Sequence, residues 1–110
     1  MRESIIEAYL KKQVKALDGE ALKFVSPGRR HVSDRLCIVP YRMLAPPFIG
    51  LVETKRPKGK LRKGQVRFAQ RLDALGVPNY TLDTKLAIDK WITYLRKAGY
   101  GRETGTTKSP

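Results

Sequence analysis

Glu53 and Lys55 stand two residues apart at the end of an apolar run, and no other pair in the chain is as well placed to do chemistry. The run is Phe48-Ile-Gly-Leu-Val-Glu-Thr-Lys55, with Pro46 and Pro47 before it and Pro57 and Gly59 after it. An apolar run between turn formers reads as a central strand buried on both faces. Side chains alternate along a strand, so Glu53 and Lys55 share one face and Thr54 lies on the other. Burying charge is costly, so the pair needs a reason. One reason is a salt bridge at a sheet edge. The other is a metal-binding carboxylate beside a lysine that handles a nucleophilic water and a phosphate.

Other polar residues fall where such a pair could use them. Asp34 opens a second apolar run, Leu36 to Val39, so an acid begins one strand and Glu-x-Lys ends the next. Glu3 falls in the middle of the apolar stripe of a helix expected over residues 2–17, and Glu7 at its edge. At a first turn an acid also suits the helix dipole. Gln65 lies on the buried stripe of a second helix, again in its first turn. It reads either as a frayed helix start or as a hydrogen-bonding partner of the site.

The elements that must position these residues follow from periodicity. Ile6, Leu10, Val14 and Leu17 recur as one helical stripe, and Asp18-Gly19 ends it, with Gly19 expected as a left-handed cap. A short strand spans 21–25, and Ser26 to His31 form a turn-rich basic loop. Residues 35–39 form the next strand. Residues 40–47 are a connection whose Met43 and Leu44 are expected to cover an edge of the core. After the central strand, Gln65, Phe68, Ala69, Leu72 and Leu75 share a face of a helix over 63–75, ended by Gly76 and lacking a good N-cap residue. Residues 79–82 form a strand. Asp83 or Thr84 caps a third helix with Ile88, Trp91, Ile92 and Leu95 on its stripe. The order helix, three strands, helix, strand, helix is that of a small α/β sandwich with a mixed sheet and helices on both faces.

Length and composition set the class. A chain of 110 residues is one domain, expected over 1–98, with a disordered tail over 99–110. No stretch has the length of a membrane span. The single cysteine, Cys37, excludes an internal disulfide and a cysteine-built zinc site, and its apolar surroundings make it a core thiol. Lys and Arg number 23 against 10 Asp and Glu, a net charge of +13, which points to nucleic acid ahead of an anionic membrane surface. Arg56, Lys58, Lys60, Arg62 and Lys63 follow the central strand directly, where a phosphate backbone would lie beside the suspected site.

In this order and spacing, Glu3-Ser4, Lys23-Phe24, Ser26-Pro27-Gly28, Val32-Ser33-Asp34-Arg35, Val52-Glu53-Thr54-Lys55-Arg56-Pro57 and Gln65 resemble the VRR-Nuc domain, a branch of the PD-(D/E)xK nuclease superfamily. The resemblance runs from Glu3 to about Ile92. It implies a restriction-endonuclease-like α/β core and a Mg²⁺- or Mn²⁺-dependent endodeoxyribonuclease. It further implies a homodimer that resolves four-way (Holliday) junctions in the cytoplasm of a bacterium or a phage-infected host. Onto this chain it carries Glu3, Asp34, Glu53, Lys55 and Gln65. His31 and Ser33 depart from the family's usual Gly-Val-Pro-Asp. Ser33 does not threaten the chemistry, and His31, as a nitrogen ligand, suits hard Mg²⁺ poorly.

On that reading Asp34 and Glu53 hold the ion, with the Thr54 carbonyl, Glu3 and water completing its shell. Lys55 positions the attacking water and stabilises the transition state, since a lysine near its ordinary pKa of about 10.4 is a poor base. Gln65 orients Lys55 or the water. Lys23, Arg29, Arg30, Arg35, Arg56, Lys58, Lys60, Arg62 and Lys63 contact DNA. Two other readings share the charge: a non-catalytic basic nucleic-acid-binding module, and a nuclease acting on ordinary duplex or flap DNA.

Overall fold

The computed structural model describes residues 2–24, 35–57 and 59–102. Seven elements follow one another: α1 (Glu3–Ala16), β1 (Glu20–Lys23), β2 (Arg35–Val39), β3 (Phe48–Thr54), α2 (Lys63–Ala74), β4 (Asn79–Leu82) and α3 (Lys85–Lys97). The strands form one mixed sheet in the order β1-β2-β3-β4. β1 and β2 pair antiparallel, as do β2 and β3, with Arg35 opposite Val52 and Val39 opposite Phe48. β4 runs parallel to β3 and sets Glu53 beside Thr81. The fold is the α/β class and element order expected from the periodicity.

Alternation along the strands divides the molecule. Cys37 and Val39 of β2, Phe48 and Val52 of β3 and Leu82 of β4 face α1 and α3, where they join Ile6, Leu10, Val14, Ile88, Trp91, Ile92 and Leu95 in the core. Ile6, Leu10, Val14, Ile88 and Leu95 are wholly buried, each worth about 1.5–3 kcal/mol of transfer free energy. Phe48, Tyr80 and Trp91 meet in edge and tilted ring contacts with centroids 5.6–6.3 Å apart. α2 lies on the opposite face, over Glu53 and β4, and buries Leu72. Thr84 supplies the cap of α3, its Oγ1 accepting from the Ala87 N–H at 2.9 Å.

Several local expectations are corrected. The left-handed residue after α1 is Asp18 (φ 64°), not Gly19. Gly19 is needed for space, because a Cβ there would stand 2.6 Å from the Ile38 carbonyl oxygen. Met43 and Leu44 do not cover the core; both are exposed, at 74% and 106%. Leu75 has left the buried stripe of α2, as its C-cap residue, and is 57% exposed. Ile49 is half exposed, so the face of β3 toward α2 is open at that end. Tyr100 to Arg102 are docked rather than loose. The Gly101 N–H donates to the Pro40 carbonyl, and the Arg102 N–H to the Leu17 carbonyl, at 2.6 and 2.8 Å. Tyr100 packs edge-on against Phe48 and Tyr41. The remainder of the expected tail, and Val25 of the expected first strand, lie outside the described residues.

Candidate active site

β3 ends at Thr54, and the Lys55 N–H continues its ladder by donating to the Leu82 carbonyl (3.0 Å). This extra rung holds Lys55 in line with the strand, so Glu53 and Lys55 project from one face. Thr54 points the other way and is wholly buried. Glu53 is 9% exposed, and a carboxylate so placed needs donors. Gln65 gives one, its Nε2 donating to Glu53 Oε2 at 3.0 Å. The Lys55 Nζ lies 3.7 Å from the same oxygen. One hydrogen bond and one ammonium at ion-pair distance thus meet on the same oxygen and fix the orientation of the carboxylate.

Gln65 is committed at both ends. Its Oε1 accepts from the Arg62 N–H (2.9 Å) at the start of α2, which is the side-chain half of a capping box. The helix that seemed to lack a capping residue is thus capped from its own third position. The polar residue on the buried stripe reaches Glu53. Glu53, Gln65, Asn79 and Thr81 border a cavity of about 10 Å³, at the lower limit of the room one water needs.

Asp34, the second expected carboxylate, lies outside the described residues, as do Arg29, Arg30, His31 and Lys58. Among the described residues no three His, Cys, Asp or Glu side chains gather. Glu3 is exposed in the first turn of α1. The buried stripe of that helix begins at Ile6, and Ile5 is itself 44% exposed, so the first turn extends past the core. Lys23, Arg56, Lys60, Arg62 and Lys63 are exposed on strand ends, loop and helix start.

Arg35, expected among the DNA contacts, turns inward. Its Nε and Nη2 both lie 2.8 Å from Glu7 Oε2, and its Nη1 donates to the Ala21 carbonyl at 3.0 Å. The guanidinium side chain is 11% exposed. The signal was in the alternation, which puts Arg35 on the face of Cys37 and Val39, toward α1. The clamp ties α1, β1 and β2 at the point where the chain enters β2. Arg35→Met is expected to destabilise the fold by about 2 kcal/mol, roughly 10 °C in Tm for a domain of this size, while the salt dependence of DNA binding stays unchanged. Thermal melting and a salt titration check both. A flattened salt dependence at unchanged Tm would return Arg35 to the DNA.

No family model matches the chain. A curated relative, "Putative nuclease p44" of Acyrthosiphon pisum secondary endosymbiont phage 1, is 41% identical over 85 residues, covering 77% of this chain and 86% of its own length. A solved structure described as "VRR_NUC domain" superposes with a TM-score of 0.72 at 25% identity, covering 84% of this chain and 95% of that one.

Proposed function

The chain belongs to the VRR-Nuc family of nucleases, and from that membership we propose that it is a divalent-metal-dependent endonuclease that cuts branched DNA, four-way junctions foremost. The observation that carries the reading is the nine-tenths-buried Glu53, held by Gln65 and Lys55 at the end of β3. A structural salt bridge needs no glutamine fixed to it from a second element.

The donor set fits a hard divalent ion. Glu53 and the Thr54 carbonyl offer oxygen, Asp34 would add a second carboxylate, and Mg²⁺ and Mn²⁺ prefer such donors. When bound, the ion supplies Lewis-acid stabilisation of the charge that develops on the scissile phosphate. The chain's own residues do the rest. Gln65 keeps Glu53 in one rotamer, so the carboxylate need not reorganise during the reaction. Lys55 presents an ammonium next to that carboxylate, close enough to turn toward an attacking water or a non-bridging phosphate oxygen. The exposed cations Arg56, Lys60, Arg62 and Lys63 grip the flanking backbone.

One chain offers one Glu-x-Lys site, and symmetric cutting of a junction asks for two related by a twofold axis. A homodimer working in the cytoplasm of a bacterium or a phage-infected cell is therefore part of the proposal. No helix among the described residues is long and apolar enough to cross a membrane.

The test is cleavage of labelled four-way junction, matched linear duplex and single strand, with Mg²⁺, Mn²⁺ or EDTA. Metal-dependent cutting that favours the junction is the expected result. Equal cutting of linear duplex would move the substrate to ordinary DNA. Binding without any cutting would reduce the protein to a basic binding module.

A further inference from the structure

Helix α2 carries a row of cations that the chemistry at Glu53 does not use. Lys63, Arg67 and Arg71 recur every four residues and so lie on one stripe, with successive members about 6 Å apart along the axis. All three are exposed, and none forms an ion pair with a described residue. The helix has one acid, Asp73, which sits off the stripe and accepts from the Asn79 side chain at 2.7 Å. Like charges four residues apart destabilise a helix by a few tenths of a kcal/mol per pair, and of the three only Arg71, in the last turn, is favoured by the helix dipole. α1 has a shorter exposed pair, Lys11 and Lys15, whose groove also contains the acidic Glu20, and Lys85 of α3 lies over the Tyr9 ring.

Two observations give the row a direction. It starts in the same turn as Gln65, which holds Glu53, and runs away from the site for about 12 Å. Beside its first half lies an open groove of about 260 Å³ lined by Leu61, Lys63, Val66 and Arg67. A lining of two cations and two apolar side chains complements a nucleic-acid strand, which offers phosphate and sugar.

We propose that the outer face of α2 is a docking track for a duplex arm of the DNA substrate, with Arg67 and Arg71 contacting phosphates beyond the scissile one. The proposal rests on the nuclease reading for its substrate, and it adds Arg67 and Arg71, which no motif singled out. The track leads one arm away along α2 and so orients the DNA relative to Glu53.

The test is equilibrium binding of a labelled 30-base-pair duplex in EDTA at several salt concentrations. With about 0.9 unit of salt slope per neutralised phosphate, Arg67→Ala/Arg71→Ala is expected to flatten the slope by about 1.8 and to weaken binding on the order of 50-fold at 0.1 M salt. Alanine at exposed helix positions keeps α2 intact, which a melting curve verifies. Arg67→Lys/Arg71→Lys keeps the slope. Lys12→Ala/Lys90→Ala, on α1 and α3 across the sheet, also leaves it unchanged. An unchanged slope in the double alanine variant overturns the track, and so does an equal loss in the Lys12/Lys90 pair, which would make the attraction one of net charge alone. Cleavage with metal is read separately. Cutting by the wild type with no slope change in the variant sinks the track alone. A flattened slope without any cutting sinks the nuclease reading and leaves the track standing.

Discussion

Glu53→Gln is expected to bind DNA as tightly as the wild type, or more tightly, and to cut it at least about 10³-fold more slowly. The substitution keeps the shape of the side chain and one oxygen that can accept from Gln65 Nε2, so the contact at 3.0 Å survives. It removes the negative charge. An amide is a weaker ligand for a hard cation than a carboxylate, and the charge stabilisation that depends on that ion is worth several kcal/mol, at about 1.4 kcal/mol per factor of ten. Binding moves the other way, because a carboxylate near the path of the phosphates repels them. Single-turnover cleavage with a parallel binding titration separates the two quantities. Joint loss of both would mean that Glu53 holds the fold rather than the reaction, and full activity would remove it from the site.

Lys55→Ala is expected to lower the cleavage rate by about 10²–10³-fold with little change in KM, as for the loss of one preorganised charge that acts on the transition state. The Nζ stands 3.7 Å from Glu53 Oε2 in a side chain only 14% exposed, so its charge acts in a medium that screens it less than water does. The pH profile distinguishes its roles. A positioning ammonium stays charged across the neutral range, so the variant's pH–rate curve keeps the wild-type shape at lower height. A lysine serving as general base would imprint its own pKa on the wild-type curve, and that limb would vanish in the variant. Lys55→Arg restores the charge but not the compact point donor, and recovers only part of the rate.

What could be read from the sequence was what depends on near neighbours. Ile6, Leu10 and Val14 are wholly buried where their spacing put them, and Glu53, Lys55 and Thr54 sort onto opposite faces because strand alternation permits nothing else. Gln65 was legible as an anomaly, a polar residue on an apolar stripe, although its partner was not. The misread features join distant parts of the chain. Arg35 of β2 meets Glu7 of α1, and the Arg102 N–H reaches back to the carbonyl of Leu17. Their composition looks like a DNA contact in one case and a loose tail in the other; alternation marks the face of Arg35 but does not name its partner, and nothing local marks the docking of Arg102. Asp18 takes the left-handed turn because it is the residue just past the C-cap Leu17, with the Gly19 N–H bonded back to the Val14 carbonyl, while Gly19 is required only for space.

The double commitment of Gln65 makes the first turn of α2 a reporter of the site's charge. One end of its amide closes the helix start on the Arg62 N–H, and the other ends on Glu53. Whatever separates Gln65 from the carboxylate is expected to loosen its grip on that backbone amide as well. Fraying of the helix start and loss of the Glu53–Gln65 contact are then two readings of one equilibrium. Faster exchange of the Arg62 amide is the expected sign, and it is read without substrate.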